Sequence, residues 1–122
     1  VIGDDAVHKL RTAKIESEKS GHPFFLAVGF RKPHTPWRFP APFLQFYPNA
    51  SRMDVAEHGV LDKSVPPIAA SSFDYAGFQD PYQEMPKLDA QMHRLTYYAS
   101  VSWMDHQIGK VLDELESLNA SN

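Results

Sequence analysis

Seven consecutive residues, Phe24-Phe25-Leu26-Ala27-Val28-Gly29-Phe30, carry no polar side chain, and breakers flank them as Gly21-His22-Pro23 and Pro33. A run of this length, rich in aromatics, predicts a strand buried on both faces, as in parallel sheets covered by helices. The segment before it reads as a helix: Ile2, Ala6, Val7, Leu10 and Ala13 recur at helical spacing, with Asp4 or Asp5 available as N-cap. Lys19-Ser20-Gly21-His22-Pro23 then supplies a basic last turn, a C′ glycine and a following proline. Helix, tight turn and buried strand make half of a repeating α/β unit. One strand cannot make a sheet, so its partners must come from elsewhere.

The 122 residues have the length of one domain, and 43% apolar with 22% charged residues fits a soluble globular protein. A net charge of −3 gives no reason to expect nucleic acid or an acidic membrane as partner. No apolar run approaches the ~20 residues that span a bilayer. Val1-Ile2-Gly3-Asp4-Asp5 has neither the basic start nor the apolar middle of a signal peptide, and its lack of methionine leads us to expect a cut N-terminus. With no cysteine, disulfides, thiolate metal sites and cysteine nucleophiles are excluded within these residues.

Nine of the ten prolines, clustered between residues 33 and 48 and again at 66, 67, 81 and 86, predict a stiff irregular middle. Ala41 to Tyr47 is expected to hold a short helical turn with Pro42 near its start, and residues 49 to 87 an extended loop with one more turn near Asp54 to His58. A long helix follows from about Pro86 to Leu118. Its predicted apolar stripe is Leu88, Met92, Leu95, Tyr98, Val101, Ile108, Leu112 and Leu115, interrupted by Asp105. Asn119 to Asn122 are turn-forming residues.

In open α/β sheets, ligands bind beyond the carboxyl ends of strands. There the chain reads Arg31-Lys32-Pro33-His34-Thr35-Pro36-Trp37-Arg38, with four residues that are or can be cationic within eight positions. Pro33 and Pro36 restrict their own backbone and push the residue before each toward extended conformations, so His34 is held on a stiff segment. An imidazole, with an ordinary pKa near ~6.5, can donate to an anion or shuttle a proton. Phosphate or sulfate recognition is favoured over metal binding, since no second ligand lies at a fixed short spacing. A solvated basic loop, with His34 capping a turn, is the competing reading.

Three strings in order carry a family resemblance. They are Pro23 to Phe30 followed by Lys32-Pro33-His34-Thr35-Pro36, then Phe43-Leu44-Gln45-Phe46-Tyr47-Pro48, then Tyr97 to Gly109 running into Val111-Leu112-Asp113-Glu114-Leu115. Together they resemble the sulfatases, those of the iduronate-2-sulfatase type in particular, with residues 49 to 86 poorly matched. The resemblance implies an alkaline-phosphatase-like α/β fold, of which residues 1–122 would be part of the sheet and its covering helices, an incomplete N-terminal catalytic domain. It implies hydrolysis of a sulfate ester on a sulfated saccharide, by a formylglycine made from the cysteine of a Cys-x-Pro-x-Arg motif, with calcium held by aspartates. It places His34 against the sulfate as a catalytic and substrate-binding residue, and makes Lys32 a candidate for substrate contact.

Departures from the family pattern are informative. There is no Cys-x-Pro-x-Arg and no early metal-binding aspartate pair, and the family's later pair falls just beyond the position of Leu118. The expectation is an internal segment inactive alone, with no metal ligand of its own, whose partner is the remainder of the catalytic domain and whose parent is secreted or periplasmic. A phosphodiester or phosphonate ester is an alternative substrate within the superfamily. A non-catalytic module binding anionic glycans through Arg31, Lys32, His34 and Arg38 is an alternative from another class. Structural roles are assigned to Asp105, Tyr97 and Tyr98. His8, His22, His58, His93 and His106 share no spacing and read as surface residues, while Trp37 is open to either packing or sugar stacking.

Overall fold

The computed structural model describes residues 1–57, 59–70 and 82–120. It divides into two compact units, Val1–Lys32 with Val101–Asn122, and Pro33–Ser100. Three α-helices are present among the described residues: α1 (Ile2–Ser20), the short α2 (Pro67–Ala70) and α3 (Lys87–Ser117).

In the first unit, Gly3, Ala6 and Leu10 are the buried face of α1, at the three- and four-residue steps a helix requires. The N-cap is Val1, without a side-chain cap bond, and not Asp4 or Asp5 as expected. Both aspartates lie inside the first turn, where they oppose the positive helix end, and Asp5 accepts from Lys9 Nζ at 2.6 Å. The end of α1 is as expected: Gly21 takes φ 71°, ψ 8° and donates its N–H to Ser17 O at 2.9 Å.

The C-terminal part of α3 runs parallel to α1. Asp4 pairs with Lys110 at 2.8 Å, and further along Arg11 grips Glu114 with two bonds of 2.8 and 2.7 Å. Just ahead of the first pair Gly3 lies against Gln107, which is 1% exposed. The helix closes with Asn119 at φ 48°, with Asn119 N–H on Glu116 O and Ala120 N–H on Leu115 O, a Schellman arrangement.

The strand expected at 24–30 is not formed, and no strand occurs among the described residues. Residues 24, 26, 28 and 30 are half-buried while 25, 27 and 29 are exposed, a period-two pattern proper to extended backbone. Phe25 is 91% exposed, so burial on both faces fails here too. A ladder needs a partner strand, and the described residues supply none.

The second unit is built on the first part of α3. A 3-10 helix at Ala41–Phe46 carries Pro42 in its first turn, as expected, and a second at Ala50–Arg52 is capped by Asn49, whose Oδ1 accepts from Ser51 N–H at 2.9 Å. Buried Gln91 of α3 donates to Ser51 O (3.0 Å) and Met53 O (3.1 Å), satisfying two carbonyls that secondary structure leaves over. Tyr47 packs on Tyr98 with ring centroids 5.8 Å apart. The helical turn expected near 54–58 is absent from residues 54–57, and His58 lies outside the described residues.

The predicted stripe of α3 is not its buried face. Of that stripe Leu95 is buried as expected and Leu115 half-buried, but Leu88, Met92, Tyr98, Val101, Ile108 and Leu112 are exposed, while Gln91, Ala99, Ser100 and Gln107, outside it, are buried. Asp105 is exposed and needs no compensating partner.

Candidate functional site

Pro33 to Pro36 form a turn at the start of the second unit, and Trp37 closes it. The indole Nε1–H of Trp37 donates to the Pro33 carbonyl at 2.8 Å. Trp37 is in turn held edge-on against two side chains of α3, His93 at 5.5 Å and Tyr97 at 6.2 Å between ring centroids. The turn is thereby tied to a rigid helix through one half-buried aromatic. The Thr35–Pro36 peptide bond is cis.

His34 sits at the head of this turn and is exposed. Its Nδ1 lies 2.6 Å from the Thr35 carbonyl oxygen. A carbonyl only accepts, so Nδ1 carries the proton. In the neutral ring Nε2 is then an acceptor, and only the imidazolium can donate from Nε2 to an anion.

Behind Trp37 an open groove of ≈ 920 Å³ runs along α3. Trp37, His93, Tyr97 and Tyr98 form its aromatic side. Lys87 and Arg94 bring positive charge, and Glu57 and Glu84 line it as well. Arg94 is half-buried and makes no ion pair among the described residues. His34 is not part of the groove lining; Trp37, three positions on, links the turn to it.

Of the cations singled out from sequence, Arg31 and Lys32 fall in the first unit, and His34 and Arg38 in the second. Lys32 is half-buried and Arg38 exposed. Sequence reasoning missed His93, Arg94 and Lys87 as site residues, and it gave Tyr97 a packing role only. For Lys87, Arg94 and Tyr97 the one legible signal was the helical spacing of residues 87, 90, 94 and 97, a face that the apolar stripe did not include.

Neither group implied by the resemblance fits these residues. No cluster of three or more His, Cys, Asp or Glu side chains could hold a metal ion among the described residues, and the sequence has no cysteine from which a formylglycine could be made. The side chains at the turn and the groove include donors of the kind that can bind an anion, His34, Lys87 and Arg94.

Comparison with known proteins shows the family. Residues 3–122 match the family model for sulfatase. The chain is 36% identical over 112 residues to the iduronate 2-sulfatase of Mus musculus, covering 84% of this chain and 20% of that protein. It is 35% identical over 112 residues to the iduronate 2-sulfatase of Homo sapiens, with the same coverage. A sulfatase of Formosa agariphila is 30% identical over 97 residues, covering 78% of this chain and 19% of that protein. The chain thus spans about a fifth of the length of the curated relatives it matches.

Proposed function

This chain belongs to the sulfatase family, and from that premise we propose that it serves a sulfuric ester hydrolase acting on a sulfated saccharide, in which the 33–37 turn presents His34 to the sulfate. The names of the two mammalian relatives support a saccharide sulfate over a phosphodiester. The observation that carries the role of His34 is its Nδ1–H···O bond to Thr35. That bond sets both the tilt of the ring and its tautomer, so that a cationic ring directs its second N–H at a single position. A donor fixed before the substrate arrives needs little reorganisation as charge builds on the sulfate oxygens during ester cleavage. Lys32, two residues before, is proposed as a second contact that adds charge near the same string. The nucleophile and any calcium would be supplied by residues other than these, and the chain alone is proposed to be inactive.

The test is a titration of the ring signals of the six histidines with sodium sulfate, against sodium chloride at matched ionic strength. The signals of His34 should move saturably with sulfate and those of His22 should not. Equal response of the two, or none, would remove His34 from the site.

A further inference from the structure

We propose that the groove behind Trp37 is a second saccharide subsite, taking a sugar unit that bears a carboxylate or sulfate, with Arg94 as its anion contact and Tyr97 as its stacking surface. This rests on the reading that the chain handles a sulfated saccharide, and adds a place where the rest of that saccharide is held. The groove, at ≈ 920 Å³, is far larger than one sulfate ion needs and lies at the upper end of the range typical for organic ligands. Tyr97 is 42% exposed on its wall and offers an apolar ring face of the kind that sugars stack on. Arg94 is half-buried beside it and makes no ion pair among the described residues. A guanidinium in that setting favours a planar, bidentate anion such as a carboxylate or sulfate edge.

The two glutamates narrow the choice of ligand. Glu57 and Glu84 would repel a polyanion charged at every position, such as a nucleic acid backbone. They accept well from hydroxyls, which a sugar presents between its charged substituents. A saccharide with spaced anionic groups suits both signs of charge, and neither a neutral glycan nor inorganic sulfate uses the whole set. Since Trp37 both walls the groove and closes the His34 turn, one chain of sugars could reach both places.

The protein has two tryptophans, and Trp103 does not line the groove, so Trp103→Phe makes Trp37 the only indole reporter. In that background the fluorescence is titrated with a chondroitin 4-sulfate hexasaccharide, which carries one anionic group per sugar with free hydroxyls between, with neutral maltohexaose and with sodium sulfate. Saturable quenching by the chondroitin sulfate fragment, weaker at high salt, is expected, with maltohexaose and sulfate each binding at least about tenfold more weakly. Arg94→Gln should raise Kd about tenfold, Arg94→Lys should recover part of that loss, and exposed Lys87→Gln should weaken binding less. His34→Ala separates this inference from the one before it. Loss on Arg94→Gln with none on His34→Ala upholds the groove while removing His34; loss on His34→Ala alone upholds His34 and overturns the groove. Absence of binding, equal binding of maltohexaose, or an Arg94→Gln Kd within twofold of the parent overturns it as well.

Discussion

Trp37 donates its indole N–H to the carbonyl of Pro33 at 2.8 Å and so closes the turn that carries His34. The side chain that makes this bond also has edge contacts with His93 and Tyr97, which tie the turn to α3. Trp37→Phe keeps an aromatic ring and removes the donor. It should cost about 1 kcal/mol, the usual net worth of one such bond. Urea denaturation would measure the loss, and sulfate-induced shifts of the His34 ring should shrink with it.

Gly3 is required by its neighbour. A Cβ at this position would lie 2.5 Å from Gln107 Oε1 and 3.2 Å from the Gln107 backbone oxygen. Because Gln107 is 1% exposed, its amide has no room to withdraw. Gly3→Ala gains some helix propensity, yet should destabilise by about 1–2 kcal/mol net through overpacking. Gly3→Ala with Gln107→Ala should recover part of that in a double-mutant cycle, because the clash is removed.

The same glutamine yields a prediction of opposite sign. Both polar atoms of its amide are buried and lack a hydrogen-bond partner among the described residues. Gln107→Met keeps the length and removes the polar atoms, so the melting temperature should stay level or rise. A fall of more than about 5 °C, roughly 1 kcal/mol, would show that the amide is satisfied in solution.

Acid should weaken the α1–α3 pairing. The bonds from Arg11 hold the Glu114 carboxyl below the usual glutamate range, and Lys110 does the same for Asp4. A depressed folded-state pKa contributes stability above the unfolded value, which is lost as pH falls through the folded one. Stability should therefore be level above about pH 5 and fall below about pH 4, near ordinary carboxyl values. Glu114→Gln should flatten part of that fall when urea midpoints are compared at pH 7 and pH 3. An unchanged pH dependence would mean that the pair contributes nothing.

How far the sequence could be read depended on whether the cause was local. The end of α1 was legible because a left-handed glycine followed by proline is a backbone requirement, and Pro42 marked the 3-10 helix for a similar reason. The strand at 24–30 depends on a partner, and the chain shows only the extended alternation that one would use. The stripe on α3 went astray because two glutamines, Gln91 and Gln107, occupy buried positions that a hydrophobicity pattern assigns to solvent. His34 stood out through its flanking prolines. His93 did not, since what defines it is an indole 56 positions earlier in the chain.

Exposed apolar side chains should make the isolated chain self-associate. Phe25 is 91% exposed, Leu88 60% and Leu112 53%, and each lies on a segment expected from sequence to be covered. Sedimentation should show concentration-dependent oligomers, with strong binding of a hydrophobic dye. A monomer that melts sharply and binds no dye would contradict this.

The central claim is that His34 meets the sulfate, and kinetics test it most directly. In a complete sulfatase carrying these 122 residues, aryl sulfate turnover is compared for the parent, His34→Ala and His34→Gln. Loss of one preorganised donor should lower kcat by ~10²–10³, and the amide, which donates without positive charge, should restore only part. His22→Ala serves as the control and should change little. If His34→Ala leaves kcat/KM within about twofold of the parent, the turn at Pro33–Pro36 is a structural feature and the account of the site fails.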